Sequence, residues 1–103
     1  MSEGLAELKD SAAEMAGRLK LMSHPERLLM LCRMGEGEVS VSQLVALSGL
    51  SQSAVSQHLA MLRQVGVVRI RKDAQARYYT LQDQVVQEVI NALCRLCTGQ
   101  QTS

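Results

Sequence analysis

Aromatic side chains are nearly missing from this sequence: two Tyr, no Phe and no Trp among 103 residues. Single strands of nucleic acid are held by stacking bases on aromatic rings, so the chain is poorly equipped for that task. No apolar run approaches the roughly 20 residues of a membrane span. A signal-peptide pattern is also missing at the N-terminus, so a cytoplasmic protein without a membrane partner is expected. No Ser–His–Asp arrangement, phosphate-cradling Gly loop or paired catalytic carboxylates can be drawn, so the chain does not read as an enzyme. Three Cys in a reducing compartment point to free, metal-binding or redox-active thiols rather than a disulfide framework.

Acidic residues are absent from one long stretch, Val39 to Gly66, and that stretch organises the chain. It reads as a short helix, a turn at Ser48-Gly49-Leu50 and a second helix beginning at Ser51. Ser40 and Ser51 suit helix N-caps, because a side-chain oxygen there accepts an unpaired backbone N–H. Gly49 supplies the positive φ of a sharp helix–helix turn. This is the layout of a helix-turn-helix, whose second helix enters the DNA major groove. On that helix Val55, Leu59, Leu62 and Gly66 share one side, and Ser53, Ser56, Gln57, Ala60 and Gln64 lie roughly opposite. Gln bonds adenine edges in pairs, and Ser contacts phosphate or base. An ordinary surface helix would carry Glu and Lys instead.

The net charge of +1 is uninformative, but its distribution is not. Residues 1–50 hold five basic and seven acidic side chains. Residues 51–81 hold Arg63, Arg69, Arg71, Lys72 and Arg77 against Asp73 alone, a local +4 that attracts phosphate. Val67–Arg71 and Ala76–Leu81 flank the polar Lys72-Asp73-Ala74-Gln75, which predicts a two-stranded hairpin. Directly after a recognition helix, a hairpin bearing Arg71, Lys72, Gln75 and Arg77 reads as a wing reaching phosphates or a minor groove. The plainer reading is a solvated hairpin whose charges keep an edge strand soluble.

The rest of the chain reads as helix. Leu5, Leu8, Ala12, Met15, Ala16 and Leu19 recur at helical spacing over about 5–22. With its other side polar, this helix is expected to lie across a partner surface, that of a second subunit. A second helix runs from about Pro25 to Met34, with Leu28, Leu31 and Cys32 on one face; Pro is favourable at a first helical position. His24 beside it reads as a turn or cap residue rather than a metal ligand. The last helix spans about Gln82 to Cys97, with Asp83 near its start, where the helix dipole favours a carboxylate. Val86, Val89, Ile90, Leu93 and Cys97 form its stripe, suited to dimerisation. One domain over 1–103 is expected, mostly α with a small β-hairpin wing. The 47% hydrophobic content is high for a chain this short, and part of it is expected in a dimer interface. The tail from Thr98 to Ser103 reads as loose.

The order helix, helix, helix-turn-helix, wing, helix resembles the ArsR/SmtB family of dimeric bacterial repressors. The likeness is specific in SHPERLLMLC (23–32), LSQSAVSQHLAMLRQVGVV (50–68) and RYYTL (77–81), and it covers nearly the whole chain. It implies that Ser51, Gln52, Ser53, Ser56, Gln57, His58 and Arg63, with Arg71, Lys72, Gln75 and Arg77 of the wing, face double-stranded operator DNA. His58 sits on the flank of the helix, nearer its apolar face.

Many members bind metal through Cys-x-Cys in the first helix of the helix-turn-helix, where this chain has none; others use Asp and His on the last helix, where no His follows Asp83. No metal or cofactor is therefore expected. Cys32, Cys94 and Cys97 instead resemble the BigR/SqrR/HlyU-like branch that responds to sulfide and persulfide. There a Cys on the second helix and one near the end of the last become linked through sulfur, and DNA affinity falls. The resemblance, with Cys97 near the centre of the last helix's stripe and Cys94 about 80° from Val86, points to Cys32 and Cys97 as the pair and to Cys94 as a spare or resolving thiol. Three alternatives stand beside it: all three Cys as apolar fillers, three thiolates binding arsenite or antimonite, and a protein-interaction module that binds no DNA.

Overall fold

A computed structural model describes residues 2–99, and the side chains of 4–99. Five helices and three strands follow in the order α1 (Ser2–Leu21), α2 (Pro25–Gly35), β1 (Val39–Ser40), α3 (Val41–Ser48), α4 (Gln52–Gln64), β2 (Val68–Asp73), β3 (Ala76–Leu81) and α5 (Gln84–Thr98). The mostly helical reading with a β-hairpin wing holds. Residues 100–103 of the tail that read as loose lie outside the described residues.

Local chemistry sets the boundaries. Ser40 caps α3 by accepting from Gln43 N, and Gln43 returns the bond to Ser40 N, a reciprocal capping box. Gly49 closes α3 in the left-handed region at φ 73°, and Ser51 caps α4 by accepting from Ala54 N. Asp83 caps α5 by accepting from Val85 N and Val86 N, so α5 starts two residues later than the sequence suggested.

The hairpin is tighter than expected. Its strands reach Asp73 and Ala76, which pair directly, leaving Ala74 and Gln75 as the turn, with Ala74 at φ 56°. Its sheet also gains a third strand, unseen in the sequence. Val39 and Ser40 pair antiparallel with Tyr79 and Tyr78, giving the order β1-β3-β2.

The core gathers Met30, Leu31 and Met34 of α2, Leu44 of α3, Val55, Leu59 and Leu62 of α4, Val68 and Tyr79 of the wing, and Val86 and Ile90 of α5. This leaves α4 with one side buried and its Ser and Gln side open to solvent, because Val55, Leu59 and Leu62 recur every three to four residues. On α1 the apolar stripe points away from the fold: Leu5 and Leu8 are each 63% exposed, and Leu19 is 57%. The far end of α1 is tied down by Arg18, whose Nε donates to Asp83 Oδ2 at 2.9 Å. No described helix is long and apolar enough to cross a membrane.

Candidate nucleic-acid interface and thiol pair

The exposed side of α4 and the wing enclose a cleft of about 610 Å³. Gln52, Ser56, Ala60 and Arg63 line it from α4, and Gln75, Arg77 and Tyr79 from the wing. Five residues picked from the sequence, Gln52, Ser56, Arg63, Gln75 and Arg77, thus face one concavity. Ser53 and Gln57 lie exposed on α4, and Lys72 lies exposed near the tip of the wing. Arg63, Lys72 and Arg77 have no carboxylate partner among the described residues. Ser51 spends its hydroxyl on the cap. Ser40 and Ser42, at the start of α3, complete the cleft wall. Ser40 was missed as a site residue because its capping role explained it locally, and Ser42 carried no signal of its own, although hydroxyls at a helix N-terminus also suit phosphate.

Two expected contacts lie elsewhere. His58 is half-buried, its ring packed on His24 before α2 at a centroid distance of 5.4 Å. Burial, reinforced by Arg27 and His24 and opposed by Glu26, holds the imidazole below its ordinary pKa. His58 therefore braces α4 against α2 instead of facing outward. Its neighbour His24 has Nδ1 2.9 Å from Glu26 Oε1 and caps nothing with its side chain. Arg71 is bound to Glu38, its Nε donating at 2.6 Å and Nη2 at 3.0 Å.

The thiols form a second locus where α2 packs on α5. Cys94 Sγ lies 2.8 Å from Cys32 Sγ, both half-buried, while Cys97 is exposed. The expected pairing of Cys32 with Cys97 is therefore corrected. Along α5 the expected stripe holds at Val86, Val89 and Ile90, but the row packed on the core continues from Val86 and Ile90 to Cys94, an i, i+4, i+8 ridge, and not through Leu93 to Cys97. Two helices that pack by such ridges bury a row that drifts around the axis. By the last turn, Leu96 is 74% exposed and Cys97 has turned away from α2.

Burial, the Cys94 hydrogen bond and the nearby Cys94, Cys97 and Glu36 charges push the Cys32 thiol up to about 12. Beside the sulfurs opens a cavity of about 370 Å³, lined by Cys32, Glu36, Asn91, Cys94 and Arg95 among others. Among the described residues no three His, Cys, Asp or Glu side chains are grouped to hold a metal ion, which leaves the three-thiolate arsenite reading without its geometry.

Comparison with known proteins points the same way as the cleft. Residues 24–69 match the family described as bacterial regulatory protein, arsR family. The HTH-type transcriptional regulator YgaV of Escherichia coli K12 is 43% identical over 86% of this chain and 91% of its own. The transcriptional activator HlyU of Vibrio cholerae is 44% identical over 89% of this chain and 85% of its own. Its reduced form, as solved, superposes with a TM-score of 0.82 over 87% of this chain and 95% of that one. The transcriptional repressor BigR of Xylella fastidiosa, also solved, is 34% identical with a TM-score of 0.80, over 95% of this chain and 97% of that one.

Proposed function

This chain belongs to the arsR family of bacterial transcriptional regulators, and from that premise we propose a homodimeric repressor whose hold on operator DNA is released by joining Cys32 to Cys94 through sulfur. It acts by binding and not by catalysis. Two copies of α4 enter successive major grooves about one helical turn apart, and the wings take the flanking phosphates. The dimer buries the exposed Leu5, Leu8 and Leu19 stripe of α1, together with the outer face of α5.

One observation carries the switch: two free thiols with their sulfurs 2.8 Å apart, beside a cavity open to small molecules. Cys32 holds its proton near neutrality, so Cys94 makes the first attack. Its thiolate takes the outer sulfur of a small persulfide, forming Cys94–S–SH and releasing the carrier thiol. Cys32 then attacks the inner sulfur, giving the Cys32–Cys94 disulfide and hydrogen sulfide. If Cys32 has also accepted a sulfane sulfur, the two persulfides condense to a trisulfide with the same loss of hydrogen sulfide.

Such a link reaches the DNA-binding helix through α5. Gln82 N and Asp83 N, just before α5, donate to Val67 O, and Gln82 Nε2 donates to Gly66 O at the end of α4. A shift of α5 therefore moves the root of α4 and the dimer face together. A hundredfold loss of DNA affinity needs only about 2.7 kcal/mol of such coupling.

The test is duplex binding by fluorescence anisotropy, before and after treatment with a small persulfide, with intact mass read on the same samples. Weaker binding in step with a Cys32–Cys94 cross-link supports the reading; cross-linked protein that binds DNA as tightly as reduced protein refutes it.

A further inference from the structure

Arg71 looks from the sequence like a phosphate contact, but its guanidinium is committed within the fold. The side chain leaves β2, one edge of the sheet. It passes over Tyr78, its register partner on β3, with Cζ 4.8 Å from the ring centroid. It ends on Glu38, one residue before β1 at the other edge, in a two-pronged bond at 2.6 and 3.0 Å. One side chain thus reaches from β2 across β3 to the residue that leads into β1. Asp73 Oδ2 lies 3.8 Å from Nη1, so two carboxylates face one cation and cancel its charge locally. The bond from Arg71 also holds the Glu38 carboxyl below its ordinary pKa.

The position of this bridge gives it a task. A two-stranded ribbon is marginal alone and free to twist. Val68 and Tyr79 root the base of the wing in the core, and along its β3 edge two residue pairs, Val39 with Tyr79 and Ser40 with Tyr78, fasten it to β1. Glu38 immediately precedes that fastening and stands two residues before Ser40, the cap of α3. A planar guanidinium held by a carboxylate and laid on an aromatic face has few orientations open to it.

We propose that Glu38 and Arg71 are positioning residues for DNA binding: their bridge sets the angle between wing and α4, so that Lys72 and Arg77 meet phosphate while α4 sits in the groove, and Arg71 itself touches no DNA. The proposal rests on the DNA-binding reading above. It inverts what charge alone predicts. An acidic residue near a polyanion should weaken binding, and here removing it weakens binding instead.

The experiment measures duplex DNA affinity against salt for wild type, Glu38→Gln, Arg71→Gln, Arg71→Lys and the double variant Glu38→Gln/Arg71→Gln. A positioning bridge predicts that each single variant loses affinity by about twofold to thirtyfold, the range for an exposed ion pair counted twice per dimer. Arg71→Lys fails like Arg71→Gln, because Lys keeps the charge but not the fork. The double variant is no weaker than either single one, and all keep the wild-type salt slope.

A direct phosphate contact predicts the opposite on every count. Glu38→Gln then binds more tightly, Arg71→Lys binds like wild type, and Arg71→Gln lowers the slope by about 0.9 for each phosphate it no longer neutralises. Either a tighter Glu38→Gln or additive losses overturn the proposal. Circular-dichroism melting of each variant separates a displaced wing from an unfolded chain, and a charge exchange, Glu38→Arg with Arg71→Glu, recovers affinity only if the bridge is what matters. Wild type that binds no duplex at any salt would overturn the DNA-binding reading itself, a result distinct from all of these.

Discussion

Cys94 meets Cys32 sulfur to sulfur at 2.8 Å, across two helices whose thiols stand 62 residues apart in the chain. A disulfide has its sulfurs about 2.05 Å apart, so bond formation asks for a closing movement of roughly 0.8 Å. That relationship makes the cysteines unequal, and their inequality is open to measurement.

Cys94→Ser and Cys32→Ser abolish the response to persulfide, and Cys97→Ser leaves it intact. In intact mass, a disulfide lowers the wild-type protein by about 2 Da and a trisulfide raises it by about 30 Da. The same unevenness shows in alkylation. At pH 8 iodoacetamide reaches the exposed Cys97 readily and Cys32 last, since Cys32 is pushed up to about 12 and carries almost no thiolate. Equal labelling rates for Cys32 and Cys97, or a Cys97→Ser protein blind to persulfide, would contradict the assignment.

The DNA face separates specific from general contacts. Replacing Lys72, Arg77 or Arg63 by Gln weakens binding to every sequence alike and lowers the salt slope by about 0.9 for each phosphate left without its cation. Gln57→Ala instead narrows the gap between preferred and scrambled duplexes, by about 1–3 kcal/mol, and leaves the slope alone. Anisotropy titrations at several salt concentrations distinguish the two classes; identical behaviour of Gln57→Ala and Lys72→Gln would deny α4 a reading role.

Stability follows pH through His58. Its folded pKa lies below the ordinary 6.5, chiefly because burial disfavours the charged ring. As pH falls below 6.5 the unfolded chain takes up this proton first, so stability declines from there down through the folded pKa. His58→Gln removes that part of the decline. The check is the difference in urea midpoint between about pH 7.5 and about pH 5, smaller in the variant than in wild type; an unchanged difference would remove His58 as its source.

The caps of the helix-turn-helix carry a fourth kind of prediction. Ser51→Ala removes the bond to Ala54 N and costs about 1 kcal/mol of stability. Gly49→Ala costs about 1–2 kcal/mol, because Gly49 sits at φ 73°, although its Cβ would meet open space. Thermal melting of the reduced protein reports both.

The three caps were legible in the sequence because capping is local: Ser40, Gly49 and Ser51 act within three or four residues of themselves. The two faces of α4 were legible for the same reason, since periodicity along one helix decides what it buries. What escaped depends on a second element. Two residues at Val39 and Ser40 carry no strand signature; Tyr78 and Tyr79 make them a strand. A helical wheel orients Cys94 and Cys97 about their own axis but is silent on where α2 crosses it, and the crossing selected Cys94. Arg71 carried a basic label in the sequence, and its partner Glu38 lies 33 residues away.

The most direct test of the account is the titration of reduced protein onto duplex DNA selected from a random pool, with stoichiometry and salt dependence read together. The account predicts two protomers on an inverted repeat, half-sites about one helical turn apart, with affinity falling steeply as salt rises. Selection that yields no preferred duplex, or binding by a single protomer indifferent to salt, would contradict it.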